Sequence, residues 1–199
     1  MEWKEYYAYI GSIARLELDI RNRARFIHDD VNQKYDNHPY FYHLDKVGKL
    51  VCKYLQEIVE RQEDIVPVLF GAYFHDSIED ARLTYNDVMK IAKEFMSEGQ
   101  ALLATEIVYA LTNEKGRNRH ERANEKYYAG IRDTMYAPLV KACDRLANYN
   151  YAKETNSRMV SCYEKEMEYF IGCLLLNDMN TDSPYSIPES LLSTLRNNS

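Results

Sequence analysis

The densest ionisable chemistry in the chain is Phe74-His75-Asp76-Ser77-Ile78-Glu79-Asp80, directly after the apolar run Ile65 to Phe74. Helical side chains four residues apart share a face, so the spacing predicts His75 over Glu79 and Asp76 over Asp80. Three carboxylates and an imidazole at the end of a buried helix would repel one another and resist desolvation. A divalent cation resolves that conflict; an exposed polar helix end is the other reading of the segment. A second constellation is Leu139 to Asn148, where Leu139, Val140, Cys143, Leu146 and Ala147 form a core stripe. Asp144 sits at the edge of that stripe with Asn148 one turn on, and a carboxylate so placed needs a partner, either a cation or neighbouring Lys141 or Arg145. The third is Pro39 to Val47, in which His43 opens a helix and can point into the same pocket. The remaining His-Asp pair, His28-Asp29-Asp30, has no Glu-Asp at the next turn and reads as a cap or surface feature.

Helices must position these residues. Seven Gly and five Pro in 199 residues predict few tight turns, and apolar residues recur at three- and four-residue steps along most of the chain. Trp3, Tyr6, Tyr7, Ile10, Ile13 and Leu16 form one buried stripe that weakens toward Ile27, and Asp29 to Pro39 reads as a loop. A second stripe runs from Tyr42 to Ile58. The segment Ile65 to Phe74 is apolar on all sides and therefore central. Thr84 caps a helix through Val88 and Phe95, with acid in its first turn. Helices follow over Ala101 to Leu111, Tyr127 to Met135, Pro138 to Tyr151 and Met159 to Leu176. No period-2 strand is evident. The expected fold is all-α, a single bundle of about seven or eight helices over 1–176, with a mobile loop and short tail over 177–199.

A net charge of −6 argues against nucleic-acid or basic membrane-anchor partners. No apolar run approaches the ~18–20 residues of a membrane span, and the N-terminus is too acidic for a signal peptide. Cys52, Cys143, Cys162 and Cys173 are scattered without a CxxC, as reduced core residues of a cytoplasmic protein are.

Taken together, the three constellations resemble the HD superfamily of metal-dependent phosphohydrolases. They most resemble the alarmone hydrolase domain of the RelA/SpoT family and its small stand-alone relatives. The matches are Pro39-Tyr40 with His43 and Val47, then His75-Asp76 with Glu79-Asp80, then Val140-Lys141 with Asp144-Arg145-Leu146 and Asn148. Glu121-Arg122-Ala123-Asn124 is similar to the family's helix start upstream of the last motif. Leu44 stands where the family has a proline after the first ligand. Arg25 is the nearest base to the end of the first helical region, where the family has residues that contact guanine. The resemblance implies that His43, His75, Asp76 and Asp144 hold one cation. Mixed nitrogen and oxygen donors suit Mn²⁺, Fe²⁺ or Zn²⁺, and the family favours Mn²⁺. It also implies that Glu79 and Asp80 orient or deprotonate a water and assist the leaving group, and that Asn148 contacts a nucleotide.

Lys115, Arg117, Arg119, Arg122 and Lys126 form a locally basic stretch on an acidic chain. Lys115, Arg117 and Arg119 are the expected clamp for further phosphates. The expected activity is hydrolysis of a phosphorylated nucleotide, with the 3′-pyrophosphate of ppGpp one candidate. The alternatives are an HD phosphohydrolase of a nucleoside monophosphate or cyclic dinucleotide, and a catalytically silent nucleotide-binding regulator. No synthetase-like segment accompanies these motifs.

Overall fold

Helix formation follows the apolar periodicity. The computed structural model describes residues 1–114, 116–175 and 183–197, with Arg119 and His120 in backbone only. The order is α1 (Trp3–Ser12), α2 (Ala14–Asp30), a short hairpin of β1 (Lys34–Tyr35) and β2 (His38–Pro39), then α3 (Phe41–Tyr54), α4 (Ile65–Phe74), α5 (Tyr85–Ala92) and α6 (Glu98–Leu111). It continues through α7 (Arg119–Arg122), α8 (Glu125–Arg132), α9 (Ala137–Glu154), α10 (Met159–Leu175) and α11 (Glu189–Arg196). The chain is all-α apart from the hairpin, and among the described residues no helix is long and apolar enough to cross a membrane.

Helix α4 is the axis of the bundle. All ten of its residues are buried, because α2, α3 and α6 pack around it and leave no face for water. Helix α9 buries the Leu139, Val140, Cys143 and Leu146 stripe and lies against both α3 and α4. These three helices carry the sequence motifs, so the first turn of α3, the end of α4 and the middle of α9 converge. Thr84 caps α5 as expected, accepting from the Asp87 N–H while the Asp87 carboxylate accepts from Thr84.

Four local expectations are corrected. The first helical region divides at Ile13 into α1 and α2. Of its expected stripe, Tyr6 is buried, whereas Trp3 and Tyr7 are 55% and 45% exposed and stack on each other at the surface. The expected loop after Asp29 holds the end of α2 and the hairpin, which pairs Lys34 with Pro39 and Tyr35 with His38. The bend places Asp36 at φ 53°. Strands of two residues are too short to show a period of two, which is why the pattern was silent there. The C-terminal segment is not a free tail over its described part. Pro184, Ser186 and Ile187 are buried, and α11 packs Leu191, Leu192 and Leu195 against α9 and α10. The expected mobile segment from 177 to 182 lies outside the described residues.

The crossing of α3 and α4 is close because Gly48 has no side chain. A Cβ there would meet the Tyr73 ring 2.5 Å from Cζ and 2.7 Å from the hydroxyl oxygen. Tyr73 cannot swing away, since it is buried and its hydroxyl donates to Glu17 Oε1 at 2.7 Å. Gly48→Ala should therefore destabilise the fold by about 1–3 kcal/mol despite its higher helix propensity. Urea unfolding followed by circular dichroism measures this; an unchanged or raised midpoint would show that the α3–α4 spacing adjusts freely.

Candidate metal centre

His43 of α3, His75 at the end of α4 and Asp144 of α9 are brought together, all of them buried. One donor atom from each lies within 4.8 Å of the others. His43 Nε2 is 3.2 Å from Asp144 Oδ1. His75 Nε2 is 2.8 Å from Asp76 Oδ2 and 3.8 Å from Asp144 Oδ1, and His43 Nε2 is 3.8 Å from Asp76 Oδ2. His43, His75 and Asp144 thus share one centre, and Asp76, the fourth residue named from the sequence as a ligand, lies against the two imidazoles at its edge.

The imidazole of His75 is set for ligation. Its Nδ1 donates to the Ala72 carbonyl at 2.9 Å, which leaves the Nε2 lone pair facing the cluster. The 2.8 Å approach to Asp76 lacks the direction of a ring N–H bond, so Nε2 has no hydrogen-bond partner among the described residues. A nitrogen lone pair and a carboxylate oxygen this close need positive charge between them. Without a cation, that charge is a proton. Burial disfavours charge on His75, but Asp76 and Asp144 outweigh it and push its pKa up to about 9. Burial likewise opposes ionisation of Asp76, yet His75 holds it low, and Lys141 with His43 does the same for Asp144. Two ionised carboxylates and two imidazoles can hold a divalent metal, which would take the place of the proton.

The ligands are braced by hydrogen bonds. Tyr40, just before α3, donates its hydroxyl to Asp76 Oδ2 at 2.6 Å. Asp144 accepts Lys141 on Oδ2 at 3.0 Å and the Asn148 amide on Oδ1 at 2.6 Å. The carboxylate therefore has both the ion-pair partner considered from the sequence and a place in the donor cluster; Arg145 pairs instead with Glu166 at 3.2 Å. Asn148 also bonds the Tyr35 hydroxyl, 2.7 Å away.

Helix α4 ends at Phe74, and residues 75–80 continue as successive turns in which the Asp80 N–H bonds the Asp76 carbonyl. Asp76 faces the imidazoles. Glu79 accepts from Asn113 Nδ2 at 2.7 Å, with Arg122 3.6 Å off. Asp80 lies beside Tyr40, and burial together with Asp76 raises its pKa.

A cavity of about 520 Å³ adjoins the centre, with Asp144 and Glu79 in its wall beside Lys141, Arg145 and Arg122. A second of about 510 Å³ lies on the far side of Asn148, which lines both. Of the three bases expected to clamp phosphate, Arg117 is exposed and outside these walls. Lys115 and the side chain of Arg119 lie outside the described residues. Lys126 is exposed and paired with Glu114. The bases in the wall are Arg122, from the same stretch, and two residues of the α9 motif. Arg25 pairs with Asp29 on an exposed face.

His28 corrects a second expectation. Far from being a surface residue, it is fully buried and stacks on Tyr40 with ring centroids 4.7 Å apart. Burial pulls its pKa down to about 4, so the ring is neutral. The spacing rules that singled out ionisable clusters pass over aromatic neighbours, and this is why Tyr35 and the bracing role of Tyr40 were missed. Comparison with known protein families and with curated proteins finds no match to this chain.

The geometry predicts one divalent ion per chain, measurable as metal content of protein purified without chelator. Asp144→Asn and His75→Ala should each lower affinity more than the roughly 10–100-fold typical of losing a hydrogen-bond partner of a ligand. Equal metal content in wild type and both variants would remove the centre.

Proposed function

We propose that this chain is a metal-dependent phosphohydrolase of the HD type acting on a phosphorylated nucleotide. The observation that carries this reading is the buried cluster of His43, His75 and Asp144, with Asp76 against its imidazoles, which shares Asp144 with a cavity holding three bases and two further carboxylates, Glu79 and Glu166. Its order along the chain, His43, then His75-Asp76, then Asp144, is also that of the motifs that resemble this superfamily.

His43, His75, Asp76 and Asp144 would hold a cation, Mn²⁺ by the resemblance, which would supply Lewis-acid chemistry toward a phosphoryl oxygen and water. The rest falls to the chain's own side chains. Lys141 and Arg145 lie one turn apart on α9, and with Arg122 opposite Glu79 they offer charge-assisted hydrogen bonds to phosphate oxygens. Glu79 is placed to accept a proton from an attacking water or return one to a leaving oxygen, held by Asn113 and Arg122. Asp80, with its raised pKa and its place beside Tyr40, is the second carboxylate able to hold a proton. Arg122, Lys141 and Arg145, each paired with an acid of the same wall, are the groups that would engage a substrate with more than one phosphate, such as ppGpp. A small-molecule substrate also suits a protein of net charge −6 better than nucleic acid does, and four scattered cysteines without a CxxC suit a cytoplasmic site of action.

Turnover of ppGpp, GDP, a nucleoside monophosphate and a cyclic dinucleotide by Mn²⁺-loaded protein tests the reading. Glu79→Gln should keep the metal and lose about 10²- to 10⁴-fold in kcat, while Arg122→Gln should raise KM for ppGpp more than for the monophosphate. Metal-loaded wild type that hydrolyses none of the four would favour a silent nucleotide-binding regulator.

A further inference from the structure

A histidine that ligates a metal is ordinarily oriented by a hydrogen bond on its other ring nitrogen. His75 has that bond, to the Ala72 carbonyl. His43 does not: its Nδ1 is buried and has no partner among the described residues. What lies against the ring instead is Tyr35. The two rings are stacked, 4.8 Å between centroids and 17° between planes. Tyr40 meets the same imidazole edge-on, with centroids 5.8 Å apart.

The hydroxyl of Tyr35 reaches a second ligand. It donates to Asn148 Oδ1 at 2.7 Å, and the Asn148 amide donates to Asp144 Oδ1 at 2.6 Å. That is the oxygen 3.2 Å from His43 Nε2. Accepting from Tyr35 fixes which end of the Asn148 amide faces Asp144. Tyr35 itself is held by the β1–β2 pairing and by its contact with Tyr151, whose hydroxyl donates to Asp36 in the hairpin bend at 2.9 Å.

We propose that Tyr35 is a positioning residue for the metal centre: its ring sets the plane of His43, and its hydroxyl, acting through Asn148, sets the carboxylate of Asp144. This rests on the metal-centre reading above and adds to it the device that orients two of the ligands from one side chain of the hairpin.

The test is metal affinity rather than turnover, measured by Zn²⁺ titration against a competing chelator, with the visible spectrum of the Co²⁺ form as a reporter of ligand geometry. Tyr35→Phe keeps the stack and removes the hydroxyl; it should weaken Zn²⁺ binding about tenfold. Tyr35→Leu removes both and should weaken it about a hundredfold, with an altered Co²⁺ spectrum. In an Asn148→Leu background, Tyr35→Phe should cost nothing further, since the two residues act in series. Melting temperatures in excess chelator identify any variant that is merely less stable, and Tyr35→Phe, which fills the same volume, carries the test if Tyr35→Leu does not fold. Wild-type affinity in Tyr35→Phe, or fully additive losses in the Asn148 background, would overturn the relay. An unchanged Co²⁺ spectrum in a folded Tyr35→Leu protein would overturn the stack. If wild type binds no more Zn²⁺ than His75→Ala, the metal centre falls and the inference with it, a result distinct from a wild type that binds and a Tyr35 that is indifferent.

Discussion

Two carboxylates, Asp76 and Asp144, are held inside the bundle within reach of two imidazoles, and the rest of the site follows from how their charge is balanced. Buried carboxylates are expensive unless each is paired and hydrogen-bonded. Here Asp76 takes Tyr40 and His75, and Asp144 takes Lys141, Asn148 and His43. The supply of positive charge is short: one lysine for two acids, with the remainder left to imidazoles that are only conditionally charged. Such a cluster can hold a divalent ion.

Placing that cluster requires three helices to end or pass at one point, and the packing explains how they do. Helix α4 is encased in apolar neighbours and cannot carry charge within its length, so the ionisable residues begin where it stops. Gly48 lets α3 approach α4 closely enough for His43 and His75 to share a centre, their rings 5.4 Å apart. Helix α9 presents Asp144 from a stripe otherwise committed to the core. His43 and Asp144 sit on helices, and His75 and Asp76 on the turns that directly follow the buried helix α4, so the spacing of the donors is set by helix packing.

Around this rigid centre the polar groups divide into two sides. Toward the first cavity stand Glu79, Arg122, Lys141 and Arg145, charged groups that can meet an anionic substrate. On the hairpin side stand aromatic residues: Tyr35 against His43, Tyr40 bonded to Asp76, and His28 behind Tyr40.

Much of this was legible in the amino-acid order alone. Helical periodicity and the scarcity of glycine and proline determined an all-α chain. The unbroken apolar run marked the central helix, and the juxtaposition of His75-Asp76 with that run identified the site, because charge next to a buried segment demands compensation wherever the segment goes. The two-residue strands, the burial of α11 and the surface stack of Trp3 on Tyr7 were decided only in three dimensions, where competition among helices for the core settles which apolar face is covered. So were the bases beside the metal centre: local charge density pointed to the stretch around Arg117, whereas cavity walls are chosen by the meeting of distant elements, and Lys141 and Arg145 arrive there on α9. Tyr35 shows the limit most plainly. Nothing about a tyrosine in a polar loop announces a role, and it acquires one because the hairpin lays its ring on His43 and its hydroxyl against Asn148, residues 8 and 113 positions away.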